Sequence, residues 1–145
     1  DVLRASTTIA AALEAGARSV IPFLETEDAV RTARQFEKGE VLLAGERHMR
    51  PIDGFDLGNS PREFVAERVQ GRTVLLTTTN GTRALHAAHD AQAIFVASFV
   101  NATVTVGALA DALAQGQRVA FVCAAHDGLF SLEDATLAGR LAEAL

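Results

Sequence analysis

Five short runs of apolar, mostly β-branched residues recur along the chain, at 19–23, 41–44, 73–77, 93–97 and 118–124. Each is followed by a segment with helical spacing, so the pattern alternates strand and helix rather than strand and strand. A run that is apolar on both faces must be covered on both faces. That predicts a mainly parallel sheet between two layers of helices, a three-layer α/β/α domain. The crossover helices can be placed by their signals. Ser6 or Thr7 caps a helix over 9–15 that Gly16 ends, and Thr26 caps one running to Phe36. Ser60-Pro61-Arg62-Glu63 reads as a capping box for a helix to about Val69. Further helices are expected to His89, over 103–115, and from the cap Ser131 to Leu145. No repeat, linker or low-complexity tract divides residues 1–145, so one domain is expected. Asp1-Val2-Leu3 reads as the tail of a strand whose beginning is missing.

In such a sheet the strand ends that lead into helices share one edge, and ligands bind there. The polar clusters of this sequence all follow apolar runs: Asp1, Arg4 and Ser6; Glu46 and Arg47; residues 78–82; Ser98 and Asn101; and residues 127–134. The central stretch, Val74 through Thr77-Thr78-Thr79-Asn80-Gly81-Thr82-Arg83, is strand, tight loop and helix start. Unpaired N–H groups and the helix dipole make such a loop a seat for an anion, or else Thr or Asn merely caps the helix. Gly81 either takes positive φ or permits a close backbone approach. The polar loop 45–59 is long for a compact domain, and such loops are functional or mobile.

A formal charge of −5 argues against nucleic acid as the main partner. No apolar run reaches the length of a membrane span. Without a secretory signal pattern, and with the single Cys123, the chain reads as soluble and cytoplasmic. Cys123 itself reads as a buried structural thiol, because the arginine of a cysteine-phosphatase loop is replaced by Leu129. Asp1-Val2-Leu3 lacks the second aspartate of a DxD phosphatase signature, and Arg47-His48-Met49-Arg50-Pro51 lacks the glycine and spacing of a histidine acid phosphatase. His86 and His89 read as an ordinary helix face. Carboxylates, arginines and hydroxyls remain, a set that suits Mg²⁺ and a small phosphorylated acid.

Six blocks carry a family resemblance: Asp1-Val2-Leu3-Arg4-Ala5-Ser6-Thr7-Thr8, Leu43-Ala44-Gly45-Glu46-Arg47, Gly54-Phe55-Asp56-Leu57-Gly58-Asn59-Ser60-Pro61, Thr77 to Thr82, Ser98-Phe99-Val100-Asn101-Ala102 and Phe130-Ser131-Leu132-Glu133-Asp134. Together and in this order the chain resembles the 2-phosphosulfolactate phosphatase family. The resemblance implies a three-layer α/β fold and Mg²⁺-dependent removal of phosphate from (2R)-2-phospho-3-sulfolactate, giving 3-sulfolactate in coenzyme M biosynthesis. Relative to a family member, elements at both ends are expected to be missing.

Carried over residue by residue, the resemblance implies Asp1 as first metal ligand, with Glu46, Glu133 and Asp134 as further candidates. Glu133 and Asp134 read equally as helix-cap carboxylates. Arg4 and Arg47 would hold phosphate or sulfonate. Ser6 and Asn101 would join the substrate site, and Asn59, Ser60, Thr78, Thr79, Asn80, Gly81 and Thr82 would form the anion cradle. Asp56 either orients the attacking water or folds its own loop. Direct attack by water and a phospho-aspartyl intermediate both stay open, as does a non-catalytic binder of an anionic metabolite. An apolar chain cut at a strand favours association with a second copy.

Overall fold

The computed structural model describes all 145 residues. An opening helical turn, Val2–Ser6, is broken at Leu3 and runs into α1 (Thr7–Glu14). The chain then forms β1 (Ser19–Phe23), α2 (Thr26–Ala33), β2 (Val41–Arg47) and the two-residue β3 (Arg50–Pro51). The short helix α3 (Ala66–Val69) precedes β4 (Thr73–Thr77) and α4 (Gly81–Ala87). Two longer helices, α5 (Ala102–Ala114) and α6 (Leu132–Glu143), complete the order.

The sheet order is β1-β4-β2-β3, with β4 parallel to both neighbours and β3 antiparallel to β2. Strand β4 is the axis because nothing in it is polar enough to require water, and all five residues are buried. Its side chains alternate between faces. Val74 and Leu76 join Leu42, Ala44, Ile9, Ala12 and Val69 in the main core, under α1 and α3. Helix α2, with Ala29 wholly buried, packs on β2 and β4. The α/β expectation is thereby met by a mostly parallel sheet with helices on both sides. A second, smaller core joins Val2 to Leu137 and Leu141 of α6.

The parallel register sets Phe23, Thr77 and Gly45 level at one edge, so the segments after β1, β4 and β2 emerge together. Gly45 is required there. At φ +145° a β-carbon would lie 1.9 Å from the Thr77 carbonyl oxygen.

Four expectations are corrected. Residues 93–97 and 118–124 form no strand. Each is apolar enough for one, but a strand needs a neighbour, and none of their amides donates to another backbone group. The capping box at Ser60 does not form: a 3-10 turn, Pro61–Glu63, stands in place of a long helix, and Glu63 accepts the Gly58 N–H at 2.9 Å instead. The opening Asp1-Val2-Leu3 is a helical turn, with the Asp1 side chain capping it through the Ala5 N–H. Cys123 is exposed because the segment carrying it is uncovered.

Candidate active site

Where the strand ends emerge, Asp1, Arg4, Glu46, Asn59, Thr79, Asn80, Glu133 and Asp134 line one cavity of about 180 Å³. All eight are among the residues singled out by sequence. They reach it from five places in the chain: the opening turn, the end of β2, the loop before the 3-10 turn, the loop after β4, and the start of α6.

Two hydrogen-bonded clamps build the walls. Glu46 receives the Thr79 N–H on Oε1 at 2.7 Å, and the Met49 N–H and Thr79 hydroxyl on Oε2 at 2.7 and 3.1 Å. This carboxylate therefore ties the β2 end to the loop after β4. Asp134 does the same across the cavity. Its Oδ1 accepts the Val2 N–H at 2.9 Å and its Oδ2 the Ala125 N–H at 3.1 Å, while Ser131 caps α6 by accepting the Asp134 N–H. The Asp134 carboxyl is held below its usual value: burial pushes its pKa up, and the hydrogen bonds from the Val2 and Ala125 N–H groups pull it down.

The loop after β4 is largely occupied by its own chain. Thr82 N–H donates to the Thr78 hydroxyl at 3.2 Å, and the Thr82 hydroxyl donates to the Thr78 carbonyl at 2.8 Å. With the Thr79 N–H held by Glu46, the Asn80 amide is left without an acceptor in the chain. Gly81 does not take positive φ. Its missing β-carbon would lie 2.6 Å from Ala5 Cβ and 2.9 Å from Asp1 Oδ2, so the close approach it allows is that of the opening turn.

Other predicted site residues stand outside the cavity lining. Arg47 turns toward β1, donating to the Leu24 carbonyl and to the Thr77 hydroxyl at 2.6 Å. Asn101 accepts the Ser98 N–H at 2.7 Å and donates to the Val96 carbonyl. Asp56 accepts the Leu43 N–H at 2.9 Å, the loop-folding alternative. Ser6 and Gly81 line a different, apolar groove, and Ser60, Thr78 and Thr82 line neither. Arg4 is thus the one arginine on the cavity.

Two features point to a ligand. Asn59 is 6% exposed and its Oδ1 has no hydrogen-bond partner, a costly state for a buried acceptor on a cavity wall. The four non-glycine residues with positive φ, His48, Met49, Ala125 and Asp127, all line this cavity. His48 and Met49 are the central pair of a two-residue hairpin between β2 and β3, a turn that normally uses Asn and Gly. Such strain gathers at functional sites.

Over residues 1–145 the chain matches the family model for 2-phosphosulpholactate phosphatase. It belongs to that family. Curated relatives agree: it is 42% identical over 146 residues to the probable 2-phosphosulfolactate phosphatase of Caldanaerobacter subterraneus subsp. tengcongensis, covering 100% of this chain and 59% of that protein. With the probable 2-phosphosulfolactate phosphatase of Symbiobacterium thermophilum the identity is 45% over 143 residues, 99% of this chain and 60% of the other. The probable 2-phosphosulfolactate phosphatase of Thermotoga petrophila is 41% identical over 145 residues, 100% of this chain and 60% of its own length. The chain therefore spans about three-fifths of the relatives it matches.

Within the 2-phosphosulpholactate phosphatase family, the cavity gives the sequence blocks a common address. Leu3, His48, Met49, Ala125, His126, Asp127 and Ser131 also line it without having been singled out as site residues. The turn His126-Asp127-Gly128 after an apolar run was the available signal for three of the positions around it. No helix of the chain is long and apolar enough to cross a membrane.

Proposed function

We propose that this chain forms the substrate-handling face of a Mg²⁺-dependent cytoplasmic phosphatase acting on (2R)-2-phospho-3-sulfolactate, giving 3-sulfolactate and phosphate in coenzyme M biosynthesis. The observation that carries the reading is the convergence of Asp1, Arg4 and the unpartnered Asn59 on one small cavity, in a chain of this family.

Arg4 supplies the forked cation that a phosphate or sulfonate pairs with, and the Asn80 N–H a neutral donor beside it. The donor set also fits the metal. Asp1, Glu133 and Asn59 Oδ1 are hard oxygen donors on the wall, and Mg²⁺ takes only one or two carboxylates from a protein, leaving its other positions to water and phosphate. No three acidic, histidine or cysteine side chains gather as a set that could hold an ion by themselves. Glu46 and Asp134, with both oxygens already accepting protein donors, suit positioning better than ligation. When bound, the ion would supply positive charge to the phosphoryl oxygens as negative charge builds on them.

Phosphate release from phosphosulfolactate by the full-length protein, measured with and without EDTA, tests the reading. Turnover that needs Mg²⁺ and disappears in Asp1→Asn is expected. Absence of phosphate release, with tight binding of the same ester, would instead make the protein a non-catalytic binder of anions.

A further inference from the structure

Two of the four histidines, His48 and His126, line the site cavity, and neither ring takes part in the clamps that build its walls. They come from different turns. His48 stands at the tip of the hairpin between β2 and β3, at φ 48°, and His126 lies between the left-handed Ala125 and Asp127. Both turns are tied down through their backbones. The His48 N–H donates to the Thr79 hydroxyl at 3.0 Å, and the Met49 N–H to Glu46 at 2.7 Å. The Asp127 N–H donates to Asn80 Oδ1 at 3.3 Å, while His126 and Leu129 exchange backbone hydrogen bonds at 3.0 and 2.8 Å. Thr79 and Asn80 are consecutive, so the loop after β4 holds the two turns side by side, one on each residue.

The rings themselves are unspent. Both are exposed, and His48 is bonded through its backbone alone. His126 Nε2 stands 3.9 Å from Asp127 Oδ2, beyond hydrogen-bond reach. The rest of the lining shows what such donors are for. Asp1, Glu46, Asp127, Glu133 and Asp134 make the wall acidic, and Arg4 is its one arginine. A substrate with two separated anionic groups can set one against Arg4, but the other then meets carboxylates unless N–H donors face it. An imidazole offers at least one N–H whatever its charge. The first position of a two-residue hairpin also suits Asn or Gly at positive φ, so a histidine there sacrifices backbone ease and brings a ring to the cavity.

We propose that His48 and His126 form the subsite for the second acid group of the substrate, the sulfonate remote from the phosphate, each donating one ring N–H to one of its oxygens. The choice of ester rests on the phosphatase reading above; the pair of donors does not. Two donors arriving from separate turns suit a tetrahedral group whose three oxygens point in different directions, whereas a planar carboxylate is matched by a single planar fork. Selectivity follows, because an ester without the sulfonate gains nothing from either ring.

Calorimetric titration of the full-length protein in EDTA, where no Mg²⁺ supports turnover, separates the subsite from catalysis. The probes are (2R)-2-phospho-3-sulfolactate and the 2-phospholactate of the same hand, which keeps phosphate and carboxylate and lacks the sulfonate. The unsubstituted protein should bind the sulfonate ester about a hundredfold more tightly, as two hydrogen bonds to a charged group allow. His48→Gly, which relieves the left-handed backbone and so preserves the fold, and His126→Ala should each weaken the sulfonate ester about tenfold. Phospholactate should bind as before in both, and the double variant should lose the preference. Equal weakening of the two esters, the mark of a merely structural role, overturns the proposal. So does an unchanged preference, or failure of the unsubstituted protein to bind the sulfonate ester. Phosphate release is measured separately with Mg²⁺; its absence from a protein that still prefers the sulfonate ester sinks the phosphatase reading and upholds the subsite.

Discussion

Asp134, in the first turn of α6, accepts the Val2 N–H at 2.9 Å although 132 residues separate the two in sequence. The bond fixes the opening turn against the last helix, and with it the position of Asp1 on the cavity.

Asp134→Ala should therefore lower stability by about 1–3 kcal/mol in urea unfolding, because the Val2 and Ala125 N–H groups lose their acceptor. Asp134→Asn keeps one acceptor oxygen and should lose less. Since the folded pKa lies below the usual 3.8, the charged form contributes stability above about that pH. That contribution is lost as pH falls through the lower, folded value, so the unfolding free energy of Asp134→Asn should depend less on pH below 3.8 than that of the unsubstituted protein.

Gly81→Ala should damage activity and stability together. The added carbon meets Ala5 and the Asp1 carboxylate at 2.6 and 2.9 Å, so the opening turn must move. Overpacking of this kind costs about 1–3 kcal/mol. A variant of unchanged Tm and turnover would show that the turn yields freely.

The two arginines should separate. Arg4→Ala, on the cavity, should raise KM for a phosphorylated acid at least about tenfold with the Tm nearly unchanged, as expected when a charged hydrogen bond to substrate is lost. Arg47→Ala, whose guanidinium bridges Leu24 and Thr77, should lower the Tm and leave KM closer to wild type.

Glu46→Ala removes three acceptor contacts at once and releases the strained His48-Met49 turn. A loss of about 1–3 kcal/mol is expected from urea unfolding. Turnover should fall even under saturating Mg²⁺; full rescue by added metal would instead mark Glu46 as a ligand.

The fold was legible where apolar runs found partners. β1 and β4 have the bounds their sequences indicate, and β2 runs on to Arg47 only because Arg50 pairs with it. Residues 93–97 carry an equally strong signal and stay irregular, since propensity cannot supply a neighbouring strand. At the site, residue type and strand-end position identified Asp1 and Arg4, and the family resemblance Asn59, but neither told which polar groups were already spoken for. Arg47 and Thr82 look as available in sequence as Arg4 and Thr79. Their partners, Thr77 and Leu24 for one and Thr78 for the other, come from chain geometry. The left-handed Met49 and Ala125 gave no warning, because neither is a residue that favours that conformation.

The place of β4 between β1 and β2 also governs how the chain can fold. Ser19 and Thr73 face each other across 54 residues of sequence, and β2 reaches β4 only after the loop and α3 have been traversed. Neither parallel pairing can begin from a local hairpin, so the loop-closure entropy must be met before β4 gives any return. Refolding should then be limited by arrival of β4. Shortening a side chain such as Leu75 would slow the folding step, whereas a comparable change late in α6 would mainly speed unfolding.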